Sequence, residues 1–232
     1  MSDILDYPGK ELEVFDKADF WRKYLFKKIE KYIGDEILEV GAGMGSFTKT
    51  YYNKNKKIVL SELDPNLTEI LDNRFKKLNN IKIESKYTKN IENKFDSILY
   101  ISVLEHIEND VQEIETALTK LKNNGHIIIC VPAHNYMYSN FDKEIGHFRR
   151  YEINFFKNLK IRNVVLEKCY MLDSIGWLMY FLNKIFFKNE DYPSKFKVMI
   201  WDKIFVPVSI ILDFLTFYKF GKNIICVLKK KN

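Results

Sequence analysis

The side chains best suited to proton transfer lie in one short stretch of this sequence, residues 132–151. It contains His134, Asp142 and His147. An imidazole titrates near neutral pH and can take up a proton, so His147 is the first candidate for a general base. Asp142 could orient that imidazole or act as the base itself, and His134 is the second histidine candidate. The stretch therefore predicts acid–base chemistry on a bound molecule.

The same stretch carries groups that could hold a substrate. Arg149 and Arg150 are adjacent and can pair with a carboxylate or phosphate through forked hydrogen bonds. Tyr138 and Tyr151 add two phenol hydroxyls. We expect these four side chains to bind the substrate. The alternative is structural, because His147 and Arg149 could simply fix the loop by bonding backbone carbonyls.

A glycine-rich turn follows a short apolar strand predicted at residues 37–40. Gly41, Gly43 and Gly45 are spaced as G-x-G-x-G, and Glu39 precedes them. Glycine permits a positive φ and lets a ligand approach the backbone closely. The turn predicts a crevice that accepts an anion or a nucleotide. A dinucleotide is disfavoured because its fingerprint, G-x-G-x-x-G, has Ser46 at the third glycine position; an ordinary strand–turn–helix stays open.

An acid ends the second predicted strand, residues 57–61. Glu62 lies 21 residues after Gly41, one βαβ step further. An acid at this place can accept hydrogen bonds from both ribose hydroxyls of a nucleoside. Asp64 competes for the role, but Pro65 behind it favours Asp64 as the N-cap of the following helix. We assign the ribose to Glu62, with a plain surface charge as the alternative.

Strand and helix patterns alternate regularly through residue 131. Such alternation is typical of a parallel, doubly wound sheet with helices on both faces. The predicted segments beyond the second strand are a helix at 66–79, a strand at 81–85, a strand at 95–101, a helix at 110–121 and a strand at 126–131. Two more strands are predicted at 164–169 and 222–228.

Residues 102–106 read Ser-Val-Leu-Glu-His after the fourth strand. Together with the glycine turn and Glu62, at matching intervals, this element resembles the class I S-adenosylmethionine (SAM)-dependent methyltransferases. The nearest likeness is to the bacterial type 11/12 branch and the ubiquinone-biosynthesis methyltransferases. The later element VPA…D…GH.RRY, residues 131–151, resembles the same branch. The resemblance implies a Rossmann-like, doubly wound, mostly parallel seven-stranded sheet.

The resemblance also implies SAM as cofactor and assigns its contacts. In that family the glycine loop packs against the methionine part of SAM, the early acid contacts its amino end, and the acid after the second strand binds the ribose. An Asp often follows the third strand and binds adenine, but residues 86–90 contain no acid. The implied cofactor contacts are Glu39, Gly41, Ala42, Gly43, Gly45, Ser46, Glu62, Leu63, Ser102, Leu104 and Glu105, with Tyr87 or a backbone carbonyl at the adenine. His106 is expected to serve packing.

Two further regions belong to the same single domain, residues 1–232. Helical spacing within residues 1–34 predicts one or two amphipathic helices. The resemblance implies that this region also forms a lid, in which Tyr7, Phe20 or Trp21 could touch the ligand. Residues 172–219 form a long apolar insertion before the last strand. A membrane span is disfavoured there because Asp202, Lys203 and Asp213 would be costly in lipid. We expect amphipathic helices that cap the domain, form a homodimer interface or lie on a membrane surface.

Composition limits the class of protein. The chain has 232 residues, 47% of them hydrophobic, and a net charge of +6, which suits one globular α/β domain and does not favour nucleic acid as a partner. Cys130, Cys169 and Cys226 show no metal-ligand spacing, so reduced buried thiols and no metal are expected. The first ten residues lack a signal-peptide pattern. A cytoplasmic location follows as an expectation, peripheral at the inner membrane face if the insertion binds lipid.

These observations converge on a SAM-dependent methyltransferase. The expected acceptor is a hydroxyl of a small molecule or of a lipid- or glycan-linked molecule. Methylation of nitrogen or carbon in a small metabolite is one alternative, and a SAM-fold binding protein without catalysis is another. A nicotinamide-dependent oxidoreductase is the least favoured, because of Ser46.

Overall fold

A seven-stranded sheet forms the centre of the computed structural model, which describes residues 10–186 and 194–231. The strand order is β3-β2-β1-β4-β5-β7-β6, and only β7 runs antiparallel to its neighbours. This confirms the mostly parallel, doubly wound sheet. The strands are β1 Glu36–Val40, β2 Lys57–Ser61, β3 Ile81–Glu84, β4 Phe95–Ile101, β5 Leu121–Pro132, β6 Val164–Leu172 and β7 Asn223–Lys230.

Helices cover both faces of the sheet. Among the described residues, two helices lie before β1, as expected for the N-terminal region, and three lie between β6 and β7. The helices are α1 Lys10–Phe15, α2 Asp19–Ile29, α3 Thr48–Tyr51, α4 Pro65–Phe75, α5 Asp110–Lys120, α6 Asn140–Glu144, α7 Ile153–Lys157, α8 Ser174–Phe186, α9 Lys195–Ile200 and α10 Val206–Leu215. A π-helical segment, Trp201–Phe205, joins α9 to α10.

The core lies on both faces of the sheet. In β4, Ile98 and Tyr100 point into one apolar cluster and Leu99 points into the other, and all three are fully buried. Successive side chains of a strand alternate between faces, so a strand covered on both sides must be apolar throughout. This is why β4 could be recognised from its sequence with the same bounds.

The largest difference from the predicted bounds is in β5. It begins at Leu121, although residues 123–125 were expected to be a turn before a strand at 126–131. The backbone does turn there, with Asn124 at φ 62°, but it does so as an excursion within the strand. The pairing with β4 jumps from Phe95–Leu121 to Ser97–His126, which accommodates the extra residues. Residues that favour a turn can be recognised from the sequence. The sequence does not show that β5 pairs with β4 both before and after that turn.

Two carboxylates of the insertion, Asp202 and Asp213, are buried and hydrogen-bonded, which explains how an apolar region accommodates their charges. Asp202 accepts hydrogen bonds from the backbone amides of Phe20 (3.2 Å) and Trp21 (2.8 Å), so it caps the N-terminus of α2 from a distant part of the chain. Asp213 accepts the amides of Asp173 (2.8 Å) and Ser174 (2.9 Å) at the start of α8. Both satisfy amides that a helix cannot pair within itself.

Of the helices in 10–186 and 194–231, none has the length and hydropathy needed to cross a bilayer. The N-terminal region folds over the sheet, and its Trp21 ring lies 5.9 Å from that of Trp201. Tyr7, named above as a possible ligand contact, is outside the described residues.

Candidate active site

The glycine loop after β1 has the backbone that its sequence requires. Gly41, Gly43 and Gly45 all have positive φ, of 62°, 56° and 72°. A Cβ on Gly41 would lie 2.7 Å from the Val103 side chain, and one on Gly45 would lie 2.4 Å from the Phe75 ring. These two glycines are therefore fixed by packing as well as by conformation. A Cβ on Gly43 would meet only Leu12, at 3.5 Å, so the loop keeps a cradle there.

Glu62 fastens this loop to the end of β2. Its carboxylate accepts the amide of Gly43 at 2.8 Å, and also the amides of Leu63 (2.8 Å) and Asp64 (3.1 Å). Asp64 caps α4 through the amides of Asn66 and Leu67, which confirms its expected role. A carboxylate oxygen has two lone pairs, so Glu62 can still accept a ribose hydroxyl. That contact stays a prediction.

Glu39 lies beneath the loop and is 3% exposed. One carboxylate oxygen accepts hydrogen bonds from the hydroxyls of Thr48 and Tyr51, both at 2.6 Å. Burial raises its pKa to about 7, against the opposing effect of these two hydroxyls. The expected contact with the amino end of SAM stays a prediction. Thr48 and Tyr51 were not singled out from the sequence, although their place in the helix behind the loop could have suggested them.

The N-terminal segment rests on the glycine loop. Ser46 donates to the carboxylate of Asp16, which also accepts from Arg74 at 3.2 Å. Arg74 reaches on to the Met44 carbonyl at 2.5 Å. This arrangement places α1 and the turn after it over the cradle at Gly43, as a lid would lie.

The ends of β3 and β4 bring the remaining expected cofactor residues to the same edge. Ser102 is exposed and has φ 56°, an uncommon conformation for a residue with a side chain, and its amide bonds the Cys130 carbonyl at 2.8 Å. Leu104 and Glu105 follow in a short 3₁₀ turn and are buried. Tyr87 is 55% exposed beyond β3. Its ring can stack on a flat ligand, so its role at adenine stays a prediction.

Asp142, His147 and Glu105 form a buried line of titratable groups. His147 Nδ1 lies 2.8 Å from Asp142 Oδ1, and its Nε2 lies 3.9 Å from Glu105 Oε1. Glu105 is 1% exposed, and its Oε2 has no hydrogen-bond partner within the described part of the chain. Burial raises the pKa of Glu105 to about 7, against the attraction of His147. With its proton on Nδ1, the imidazole of His147 keeps a lone pair on Nε2.

Arg150 holds Asp142 in place. Its Nε lies 2.9 and 3.0 Å from the two carboxylate oxygens, and Ser139 donates to the same group in a capping box. Burial would raise the pKa of Asp142, but the bonds from His147 and Arg150 outweigh it and hold the pKa well below its usual range. Arg150 also lies 4.6 Å from the centre of the Tyr180 ring. Helix α8 therefore covers this pair.

The other residues expected to act on the substrate make internal bonds. Arg149 donates to Asp110 at 3.1 Å and to the Glu108 carbonyl at 2.9 Å. The Tyr151 hydroxyl also reaches Asp110, at 2.8 Å, and the Tyr138 hydroxyl donates to the His147 carbonyl at 2.6 Å. Each of these bonds stabilises the loop that carries His147. Contact between these side chains and an acceptor stays a prediction.

His134 makes a different set of contacts from those of the Asp142–His147 pair. Its Nε2 lies 3.0 Å from the Gly221 carbonyl, and its ring centre lies 5.1 Å from that of Tyr136. Burial lowers its pKa, against the attraction of Glu152. It is placed beside the insertion, so its role as a second base stays a prediction.

His106 brings a third ligand-type side chain to Glu105 and His147. The ligand atoms of these three residues all lie within 4.8 Å of one another. Burial lowers the pKa of His106 to about 4, which keeps its imidazole neutral. Such a set could hold a divalent cation, with Asp142 as the partner that orients His147. The sequence contains no metal-binding motif that predicts this set, because Glu105 and His106 follow β4 whereas His147 lies in the loop after β5.

Comparison with known proteins agrees with this geometry. The family described as "Methyltransferase domain" matches residues 13–179. The demethylmenaquinone methyltransferase of Tropheryma whipplei (strain Twist) is 26% identical over 156 residues, which cover 66% of this chain and 59% of that protein. The chain thus spans less than two thirds of this relative's length.

The fold is shared with solved structures at low sequence identity. Coclaurine N-methyltransferase, bound to N-methylheliamine and S-adenosylhomocysteine, has a TM-score of 0.62 and 13% identity over 92% of this chain and 72% of its own. The [4+2]-cyclase SpnF has a TM-score of 0.61 and 14% identity over 90% of this chain and 80% of its own. The fold alone does not decide the reaction, but the family match covers most of the chain and includes the glycine loop. The chain belongs to the methyltransferase-domain family, as a class I SAM-dependent methyltransferase domain.

Proposed function

We propose that this domain methylates a hydroxyl oxygen and that His147 is the general base. The observation that carries the proposal is the pair of contacts on its imidazole. Asp142 accepts from Nδ1 at 2.8 Å, which leaves the Nε2 lone pair available for a proton. Glu105 lies 3.9 Å from Nε2 and would stabilise the imidazolium that forms.

The cradle at Gly43 and the carboxylate of Glu62 fit SAM, which supplies a methyl group whose bond to sulfur breaks as a bond to the acceptor oxygen forms. The hydroxyl proton passes to His147 Nε2, so charge and atoms balance. A neutral amine attacks through its lone pair and can lose its proton afterwards. A hydroxyl is a weak nucleophile until a base removes its proton. A base fixed by a buried carboxylate therefore supports an oxygen acceptor over a nitrogen acceptor.

We further propose that the acceptor is linked to a lipid or a glycan. Beside His134, the Trp177 indole donates to the Tyr136 hydroxyl at 2.9 Å, and its ring lies 5.9 Å from Phe181 and 6.0 Å from Phe220. Aromatic surfaces of this kind pack against apolar chains and the flat faces of sugars. The naming of one relative for demethylmenaquinone supports a large acceptor as well.

Methyl-labelled SAM, offered with a bacterial lipid extract or with a panel of small hydroxylated aromatics, tests the proposal. Label should enter an acceptor and be released as methyl iodide by hydriodic acid, which cleaves oxygen-bound but not carbon-bound methyl groups. His147→Ala should keep SAM binding by calorimetry and lose turnover by roughly 10²-fold or more. The matched control is His126→Ala, which removes an imidazole that pairs with Glu167 towards the amino end of β5 and should keep turnover.

Three results would contradict parts of this proposal. Unchanged turnover in His147→Ala would place the base elsewhere. Label resistant to hydriodic acid would mean a carbon or a nitrogen acceptor. Turnover that disappears with a chelator and returns with Zn²⁺ would mean that Glu105, His106 and His147 act through a bound cation.

A further inference from the structure

Helix α10 has its polar side inward and its apolar side outward. Ser209 and Asp213 are fully buried, whereas Ile211, Phe214 and Leu215 are 62%, 67% and 61% exposed. A helix on the surface of a soluble domain normally shows the opposite arrangement. Two features of α10 therefore need an explanation, its buried polar side and its exposed apolar side.

The inward side is fixed by hydrogen bonds. Asp213 accepts the amides that begin α8 and the Tyr24 hydroxyl, the latter at 2.8 Å. Ser209 donates to Asp173 at 2.9 Å. Rotating α10 to hide its apolar side would leave these buried groups unpaired, at a cost of about 1–3 kcal/mol for each. The apolar side therefore stays outward.

The preceding segment extends this apolar surface. We name the α9–α10 outer face by its six most exposed large apolar side chains, Phe196, Ile204, Ile211, Phe214, Leu215 and Phe217. Exposed apolar residues are ordinary when they are scattered, but Ile204, Ile211 and Leu215 are seven and four residues apart, which places them on one side of a helix. An exposed apolar stripe of this kind indicates a contact surface.

The exposed charges of the segment that carries this face have one sign. Residues 194–221 contain four lysines, all exposed, which are Lys195, Lys197, Lys203 and Lys219. The two acids of the segment, Asp202 and Asp213, are 2% and 0% exposed and serve as helix caps. Every exposed charge in this part of the chain is therefore positive.

We propose that the α9–α10 outer face docks this domain on an anionic phospholipid bilayer, lying in the interface without crossing it. Apolar side chains can enter the boundary between headgroups and acyl chains while the flanking lysines meet lipid phosphates. A second copy of the chain fits less well, because two such faces in contact would bring lysines together. This proposal does not depend on the acceptor, so it stands or falls separately from the proposed function.

Co-sedimentation of the full chain with vesicles tests the docking. The protein should pellet with vesicles that contain phosphatidylglycerol and phosphatidylcholine, should release at high salt, and should bind pure phosphatidylcholine more weakly. The double variant Ile211→Ser with Phe214→Ser should weaken binding roughly tenfold or more, because two apolar side chains no longer partition. Lys203→Glu with Lys219→Glu should weaken it by a similar factor, on anionic vesicles alone.

Matched controls lie elsewhere on the surface. Val111→Ser removes an exposed apolar side chain from α5, and Lys54→Glu with Lys77→Glu reverses two exposed lysines far from the insertion. None of these changes should alter binding beyond a small effect of net charge. The melting temperature and the SAM affinity of every variant are measured as well, and unchanged values would show that the fold is intact.

Two results would overturn the proposal. The first is wild-type protein that stays in the supernatant with anionic vesicles at low salt. The second is a dimer in light scattering that Ile211→Ser with Phe214→Ser converts to a monomer, which would make a second copy the partner of this face.

Discussion

Replacing Glu105 by glutamine should change how the stability of this domain depends on pH. The carboxyl is buried, and one of its oxygens has no partner among the described residues. Its pKa rises from the ordinary 4.5 to about 7 because burial disfavours the charged form. The folded state therefore binds this proton more tightly than the unfolded state. The contribution of this bound proton to the free energy of unfolding is complete below pH 4.5 and is lost as pH rises through about 7.

The shift from 4.5 to about 7 sets the size of the effect. At about 1.4 kcal/mol per unit, the wild-type chain should lose about 2.5 kcal/mol between roughly pH 5 and roughly pH 8 through this group. Glutamine cannot ionise, so Glu105→Gln should lack that loss. A constant offset between the two proteins does not matter, since only the slope with pH is compared.

Urea unfolding of both proteins at several pH values measures this slope directly. Thermal unfolding should agree, with the variant gaining about 5–10 °C relative to wild type across the same range. Glu115→Gln removes a charge from an exposed site and is the matched control. Parallel pH profiles for wild type and Glu105→Gln would refute the reasoning, because they would mean that Glu105 ionises in the fold as it does in the unfolded chain.

Two other changes probe the cofactor cradle and the insertion. Gly43→Leu should abolish the rise in melting temperature that SAM produces, because its side chain would fill the cradle. A leucine at position 43 would also have to adopt the positive φ of Gly43, which should lower the free energy of unfolding by about 1 kcal/mol. SAM affinity retained in this variant would place the cofactor elsewhere. Asp202→Ala should destabilise the domain by about 1–2 kcal/mol in urea, as loss of a helix cap does; an unchanged midpoint would mean that the amides of α2 do not need it.

The sheet could be predicted because its signals are local. In β4 the apolar run is enough, and at the glycine loop the residue types match the positive φ that the turn requires. Asp64 could be assigned as a helix cap for the same reason, since Pro65 stands next to it. Strand ends were less accurate where pairing rather than composition sets them. Strand β6 extends to Leu172, beyond the predicted 169, because it continues to pair with β7.

The direction of side chains in the loop after β5 could not be predicted. Arg149 and Arg150 look equivalent in sequence, yet one turns outward to Asp110 and the other inward to Asp142. The line from Asp142 through His147 to Glu105 joins segments that only the folded sheet brings together. Local spacing indicated that the stretch was rich in proton-transfer groups, but long-range packing decides which of them meet.

The cap that Asp202 places on α2 has a consequence for folding. The two partners are separated by 181 and 182 residues, so the first turn of α2 lacks this cap until most of the chain has been made and has collapsed. Contacts of such high sequence separation form late, because the entropy of closing a long loop is lost before the contact can stabilise the chain. The first helices and the insertion should therefore open and close as one cooperative unit. Equal opening free energies for the amides of α2 and α10 in native-state hydrogen exchange would be its signature.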